Sequence, residues 1–366
     1  MRQVPLLDLK RQYLKCKQRI NSGIAKSLEH QRWILGPEVD ELEQRICDYL
    51  GVENCVAVAS GTDALVLALR AFAIRLGKGE FFDRADKIIT TPFTFTATAD
   101  AILRAGATPV FVDIEPGTFN IDPDAIRDYL ESDPENVVGI VPVHLYGQSC
   151  RMDRIMELAE DNGLFVMEDL AQAIGGKFSG RMLGSFGDAA AISFFPSKNL
   201  GGFGDGGMIA TKDAQITELC RMLLKHGGKS KYDVSHLGYN SRLDTLQAAV
   251  LLAKFGYLDE FNDKRRQIAA FYDRRLSGID GLTCPYSHSE AYHVYHQYTI
   301  RLNENLRDHV KAGLAENGVE TAVYYPVALH KMELFQRRAV VAGSLENSEA
   351  ASRQVLSLPV EPLLND

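Results

Sequence analysis

Leu164-Phe165-Val166-Met167-Glu168 reads as a buried β-strand that delivers Glu168 and Asp169 at its carboxyl end, with Gln172 three residues beyond Asp169. An almost unbroken apolar run, rather than an alternating one, is what a strand covered on both faces requires. Open α/β sheets bind ligands at the carboxyl ends of such strands, so the two carboxylates stand where chemistry is expected. Six further runs of this kind lie at Asn54 to Ala59, Lys87 to Thr91, Pro109 to Asp113, Val138 to His144, Ala189 to Phe194 and Gly207 to Thr211. Helical periodicity fills the gaps at Asp63 to Ile74, Ala97 to Arg104, Pro123 to Leu130, Met152 to Asn162 and Ala214 to Leu224, with apolar positions three or four apart. The alternation of the two patterns predicts an α/β unit with a mixed, mostly parallel seven-stranded sheet and helices on both faces.

Beyond this block, Gly227-Gly228-Lys229-Ser230 is followed by a long helical segment from Leu243 to about Leu276, rich in Ala, Leu, Lys and Arg. The remainder, from about residue 280 to 366, reads as a smaller α+β unit whose best strand, Gln297 to Leu302, alternates as a half-buried strand does. A chain of 366 residues is long enough for two such units. We expect a large one over 1–250, opened by an N-terminal helical segment, and a small one over 251–366. The net charge of −8 is scattered, which argues against nucleic acid as a partner. No apolar run approaches the roughly 20 residues of a membrane span. Met1-Arg2-Gln3-Val4-Pro5 lacks the features of a secretory signal, so a cytoplasmic location is expected. Cys16, Cys47, Cys55, Cys150, Cys220 and Cys284 form no C-x-x-C pair, so buried free thiols are expected and no metal site.

Polar groups gather between residues 168 and 207. Taken alone, Asp169 is no more than a helix cap or a loop charge, and a lone lysine is ordinarily a solvated one. The setting of Lys198 differs: it follows Ser193-Phe194-Phe195-Pro196-Ser197 and precedes Gly201-Gly202-Phe203-Gly204-Asp205-Gly206-Gly207. Aromatic neighbours desolvate an amine, and glycines let backbone approach a ligand. A desolvated lysine has the lowered pKa of a Schiff-base nucleophile. Upstream, Ala59-Ser60-Gly61-Thr62-Asp63-Ala64-Leu65 passes from strand into helix. Ser60 or Thr62 can cap that helix, and Gly61 lets its free N–H groups meet an anion, aided by about half a positive charge at the helix start. An anion cradle beside an amine and a carboxylate suggests a phosphorylated carbonyl cofactor.

Two nucleotide motifs fail their context. Gly202-x-Gly204-x-x-Gly207 has the dinucleotide spacing but leads into the strand-like Met208-Ile209-Ala210-Thr211 instead of opening a helix. Gly228-Lys229-Ser230 resembles the end of a P-loop, yet Leu223 occupies the place of its first glycine.

In order and spacing, a set of segments across nearly the whole chain resembles the DegT/DnrJ/EryC1/StrS family, the nucleotide-sugar aminotransferases of pyridoxal-phosphate fold type I. They are Leu6-Leu7-Asp8-Leu9, Ile34-Leu35-Gly36-Pro37-Glu38-Val39, Ser60 to Leu65, Glu168-Asp169-Leu170-Ala171-Gln172-Ala173 and Ser193 to Lys198. Further on come Gly238-Tyr239-Asn240-Ser241-Arg242-Leu243-Asp244, His293-Val294-Tyr295-His296-Gln297-Tyr298, and Tyr325-Pro326 with His330. The resemblance implies an aspartate-aminotransferase-like fold and pyridoxal 5'-phosphate as cofactor, with pyridoxamine 5'-phosphate formed in turnover. It implies that Lys198 holds the cofactor covalently and later moves a proton, and that Asp169 binds the ring nitrogen. A carboxylate there keeps that nitrogen protonated, so the ring can accept an electron pair. Gln172 would sit near the ring hydroxyl, Phe95 would stack on the ring with Phe93 as the alternative, and Gly61, Thr62 and Ser193 would bind the phosphate. Asn240 would complete that phosphate site from the neighbouring subunit, which makes a homodimer part of the mechanism. Arg242, Tyr325, His330 and His226 are the substrate candidates. Leu170 stands where many relatives have alanine, a difference expected to touch packing more than chemistry.

The expected reaction is amino transfer from L-glutamate to a nucleotide-linked ketosugar. The stretch from His226 to Tyr232, followed by Asn240 to Asp244, looks more like relatives acting at the 3-oxo than the 4-oxo position. Lys198 places the chain with the transaminases rather than with the branch that carries histidine there and dehydrates a sugar. The alternatives are a cyclitol ketone as acceptor, or a non-catalytic regulatory protein of the same fold.

Overall fold

The computed structural model describes residues 3–364. All seven expected strands form, at Asn54–Val58 (β1), Lys87–Thr90 (β2), Thr108–Phe111 (β3), Val137–Ile140 (β4), Phe165–Asp169 (β5), Ala189–Ser193 (β6) and Gly207–Thr211 (β7). An eighth, Val340–Val341 (β8), pairs in parallel with β3 through Val340–Val110 and Val341–Phe111. The sheet therefore has eight strands, in the order β1-β7-β6-β5-β4-β2-β3-β8, and the count of seven is corrected. A two-residue strand presents no periodicity, and only its pairing partner, more than 200 residues upstream, defines it. Within this sheet β7 alone runs antiparallel to both neighbours, because it follows β6 through the glycine-rich loop without a crossover helix. β4 ends earlier than expected, at Ile140 rather than His144, since Pro142 has no N–H to offer a ladder.

Period-two alternation distributes the strand side chains between two cores. Cys55, Ala57, Ile89, Val166, Ala190, Ile192 and Met208 face one of them. That side is covered by Pro37–Leu50 (α2), Pro123–Ser132 (α5), Met152–Asn162 (α6) and Thr245–Phe255 (α8). Val56, Val58, Ile88, Met167, Ala189, Ala191 and Ile209 face the other. It is covered by Gly61–Arg75 (α3), Ala97–Arg104 (α4) and Ala214–Leu223 (α7). The long segment from Leu243 to Leu276 is two helices rather than one, α8 and Leu258–Leu276 (α9), interrupted at Gly256-Tyr257. Glycine is the poorest helix former after proline, and the break lets each helix bury its own face. The N-terminal helix Leu9–His30 (α1) packs on α8. In the C-terminal part, Leu282–Thr283, Tyr298–Leu302 and Val355–Leu358 form an antiparallel sheet around Tyr298, Ile300 and Leu356.

Candidate active site

β1, β2, β5 and β6 are mutually parallel, so their carboxyl ends lie at one edge of the sheet. That edge opens into a cavity of about 530 Å3. Ser60, Gly61 and Thr62 reach it from the junction of β1 and α3, Phe95 from the segment after β2, Asp169 from the end of β5 with Gln172 just beyond it, and Ser193 from the end of β6 with Lys198 just beyond it. These residues span 139 positions of sequence, and the strand register alone brings them together.

Glu168 and Asp169 look alike in the sequence, but consecutive strand residues point to opposite faces. Glu168 turns away from the cavity and is fully buried. Its Oε1 accepts the N–H groups of Phe186 (2.8 Å) and Gly187 (2.9 Å), and Oε2 accepts that of Gly184 (2.7 Å). His144 Nδ1 accepts the Cys150 N–H at 3.1 Å, so its proton sits on Nε2, 3.0 Å from Glu168 Oε2. Burial alone would push the Glu168 carboxyl up, but His144 and these backbone donors hold it below its ordinary value. Glu168 therefore clamps the 184–187 loop in ionised form. Asp169 is the carboxylate of the cavity. It accepts from Thr98 Oγ1 at 2.8 Å and from the Ala171 N–H at 3.1 Å. Burial nevertheless raises its pKa, with Thr98 and Lys198 opposing the shift. An acid held this way is charged at a cost that a facing cation removes.

Burial lowers the Lys198 pKa, and Asp169 works against the shift. Its amine thus spends more time uncharged than a solvated lysine does, which is what a nucleophilic amine requires. At the other end of the cavity, Ser60 caps α3 by accepting the Asp63 N–H at 3.0 Å. A Cβ on Gly61 would fall 2.6 Å from Ser193 Cβ, and one on Gly207 would fall 2.3 Å from the Ser60 carbonyl oxygen. Only glycines allow this approach, which seats the Ser193 hydroxyl against the opening turn of α3.

Gln172 Oε1 accepts the Tyr146 N–H at 2.8 Å, and its Nε2 donates to Tyr325 Oη at 3.1 Å, so Tyr325 also lines the cavity. Phe95 lies in it, 56% exposed, whereas Phe93 is fully buried between Phe119 and Tyr325. Of the two aromatics, Phe95 is the one that presents a ring to the cavity. Leu170 is buried in the core and its backbone N–H donates to the Ala191 carbonyl, consistent with a packing role.

Four expected residues lie outside this cavity. His226 is exposed in a loop, Asn240 and Arg242 bond each other beyond α7, and His330 pairs with Glu349 at 3.0 Å. Conversely, Thr98 and His296 line it without having been singled out by sequence. His296 donates from Nδ1 to Asn199 Oδ1 at 3.0 Å, and Asn199 is itself fixed by Asn262 at 2.7 Å. Burial, helped by Lys198 and Arg265, keeps the imidazole neutral. Thr98 sits only three residues past Phe95, a spacing that offered a hint, whereas His296 arrives from the C-terminal part, within a segment that carries the family resemblance but with no role assigned to it.

Residues 15–366 match the model of the DegT/DnrJ/EryC1/StrS aminotransferase family. The chain is 45% identical over 99% of its length, and 95% of the relative's, to a pleiotropic regulatory protein of Geobacillus stearothermophilus. It is 42% identical to a UDP-N-acetyl-3-dehydro-alpha-D-glucosamine 3-aminotransferase of Acidithiobacillus ferrooxidans, over 99% of this chain and 94% of that one. It is 39% identical to a UDP-2-acetamido-2-deoxy-3-oxo-D-glucuronate aminotransferase of Pseudomonas aeruginosa, over 99% and 96%. Among solved structures, a DegT/DnrJ/EryC1/StrS aminotransferase from Brucella abortus superposes with a TM-score of 0.91 at 38% identity, covering 99% of this chain and 95% of that one. NtdA from Bacillus subtilis, with bound PMP, superposes with a TM-score of 0.88 at 32% identity, covering 99% and 81%. With its sheet edge, cavity and match along nearly the full length, the chain belongs to the DegT/DnrJ/EryC1/StrS aminotransferases and is a pyridoxal-phosphate-dependent enzyme of that family.

Proposed function

We propose that this enzyme moves the amino group of L-glutamate to a 3-oxo group of a nucleotide-linked sugar, in making amino sugars for a surface polysaccharide or secondary metabolite. The observation that carries the reading is the meeting of Asp169, Lys198 and the Ser60–Thr62 turn with Ser193 in one cavity. The cavity suits the cofactor. The glycine-only approach of Ser193 to α3 leaves hydroxyls and backbone N–H groups for a phosphate. Buried Asp169 would be stabilised by a cationic ring nitrogen, and exposed Phe95 would supply a face for the ring. When bound, the cofactor supplies a conjugated ring that takes up the electron pair left at the reacting carbon.

The chain's own groups do the rest. Thr98 and the Ala171 N–H keep the Asp169 carboxylate oriented, so that it would hold a proton on the ring nitrogen. Gln172, locked between Tyr146 and Tyr325, keeps an amide hydrogen available for the ring hydroxyl. Lys198 Nζ would accept the proton released at the donor carbon and deliver it to the cofactor carbon that takes the amino group, and would reverse both moves with the acceptor sugar. The expected effect of Gly61→Ala follows from the crowding at Ser193: overpacking of about 1 to 3 kcal/mol, and cofactor retention weakened by at least about fivefold. Absorbance titration of the resolved enzyme measures it, and native affinity in the variant would remove Gly61 from the phosphate site.

Lys198 is the sole lysine or arginine among the described residues lining the cavity. Two carboxylates of glutamate, or the phosphates of a nucleotide, need more positive charge than that. Arg242, beside Asn240 and outside its own cavity, supplies it from a neighbouring copy in this reading, which makes the homodimer the catalytic unit. The 3-position draws support from the relatives named for 3-dehydro and 3-oxo sugars.

The test is a panel of UDP- and dTDP-linked 3-oxo and 4-oxo sugars and an inosose, each supplied with glutamate, with 2-oxoglutarate release measured. Turnover restricted to the 3-oxo sugars is expected. Turnover of the cyclitol ketone alone would move the enzyme to aminocyclitol synthesis. A regulatory role without turnover is favoured by the Geobacillus relative's name, and bound cofactor that reacts with no amino donor would establish it.

A further inference from the structure

Arg70 in α3 is completely buried and outside the lining of the cavity, and its guanidinium holds a segment distant in sequence. Nη2 donates to Glu80 Oε2 (3.0 Å) and to the Leu237 carbonyl (3.0 Å), and Nη1 donates to Tyr239 Oη (3.1 Å). Nε donates to the Glu80 carbonyl, and the Phe81 ring lies 3.7 Å from the guanidinium carbon. Glu80 reaches the same segment with both oxygens: Oε1 is 2.7 Å from His236 Nδ1, and Oε2 accepts the Leu237 N–H at 3.2 Å. Residues 236–239 are thus gripped immediately before Asn240 and Arg242.

That grip adds to backbone hydrogen bonds from the His226 N–H to the Tyr239 carbonyl, the Tyr239 N–H to the Leu223 carbonyl and the Ser241 N–H to the Leu224 carbonyl, and it alone reaches His236 and Leu237 with side chains. From His236 to Asp244 the backbone forms no strand or helix, only single bridges at Asn240 and Asp244. The preceding hairpin, Gly228–Ser230 against Asp233–Val234, is exposed except at Gly228. For stability alone, well-packed apolar residues serve as well as a buried ion pair. A planar five-donor fork does something they cannot, which is to fix particular carbonyls and hydroxyls in space.

We propose that Arg70 and Glu80 are positioning residues that act in trans, setting the 236–242 loop so that Asn240 and Arg242 enter the partner's active site. The proposal rests on the homodimeric reading above. Glu80 is the residue to change, because it is partly exposed while Arg70 is not.

The experiment uses mixed dimers from two differently tagged full-length chains, one carrying Lys198→Ala, so that each dimer has one working site. With Glu80→Gln on the Lys198→Ala chain, the working site is served by the loosened loop, and kcat/KM for the nucleotide sugar is expected to fall roughly 10- to 100-fold, the effect of a small misplacement. With Glu80→Gln on the other chain, the working site is served by an intact loop and keeps the control rate. His236→Gln should repeat the asymmetry more weakly. Equal rates from the two placements, or a loss confined to the second, would overturn the proposal. An Asn240→Ala control on the Lys198→Ala chain separates the two levels. If it lowers activity while Glu80→Gln does not, only the positioning role fails. If it has no effect, the cross-subunit reading fails and the proposal with it.

Discussion

Lys198→Ala protein is expected to fold, retain the phosphorylated cofactor and lose amino transfer, with turnover down by about 10^4-fold, the upper range for a missing acid–base group. No second group can take its place. Among the described residues lining the cavity it is the sole lysine or arginine, and His296 is kept neutral with Nδ1 committed to Asn199. Ser193, the α3 turn and Gln172 are untouched by the change, so phosphate and ring contacts should persist. Single-turnover mixing with glutamate measures the loss. Borohydride reduction and peptide mapping should fix a pyridoxyl group on the Lys198 peptide of the native enzyme and on no peptide of the variant. A variant working at the native rate, or an adduct on another lysine, would be fatal to the assignment.

Asp169→Asn is expected to move activity and stability in opposite directions. Leaving a buried cation without its acid costs about 3 to 5 kcal/mol, which at about 1.4 kcal/mol per tenfold is roughly a 10^2- to 4 × 10^3-fold loss of turnover. In the cofactor-free protein the sign reverses. Burial raises the Asp169 pKa above its ordinary value, so the folded state holds that proton more tightly than the unfolded chain. As pH rises from the unfolded to the raised folded value, this group withdraws stability, and the penalty is complete once the pH exceeds the folded value. The cofactor-free Asn variant should therefore melt at or above the native temperature at pH 7, and the difference should vanish as pH falls into the carboxylate range. Loss of both activity and cofactor-free stability would mark Asp169 as a structural acid instead.

The opposite behaviour of Glu168 shows why strand pattern alone could not separate these two acids, and why only the family resemblance singled out Asp169. Both follow the same apolar run, and only the strand's pleat sends one to the Gly184–Gly187 loop and the other to the cavity. The two aromatics after β2 are a similar case. Phe93 and Phe95 share a face by alternation, yet the backbone after Thr90 is not a strand, and packing against Phe119 takes Phe93 out of reach of a ligand. Val340–Val341 is too short to carry a pattern, and the break at Gly256-Tyr257 lies within a continuous helical periodicity.

By itself the sequence determined the α/β class, the seven strands, the helices between them and the chemistry of the strand ends at Ser60, Asp169, Ser193 and Lys198, because periodicity and turn chemistry are local properties of the chain. Pattern and periodicity left open which of those ends share a cavity and which acid faces it, points that only the family resemblance anticipated, and the tertiary structure alone decided that Thr98 and His296 join the cavity and that Arg70 and Glu80 grip a loop more than 150 residues downstream. Those are contacts between segments whose separation along the chain leaves no periodic trace, and they exist only once the parallel register of the sheet has placed one segment beside another.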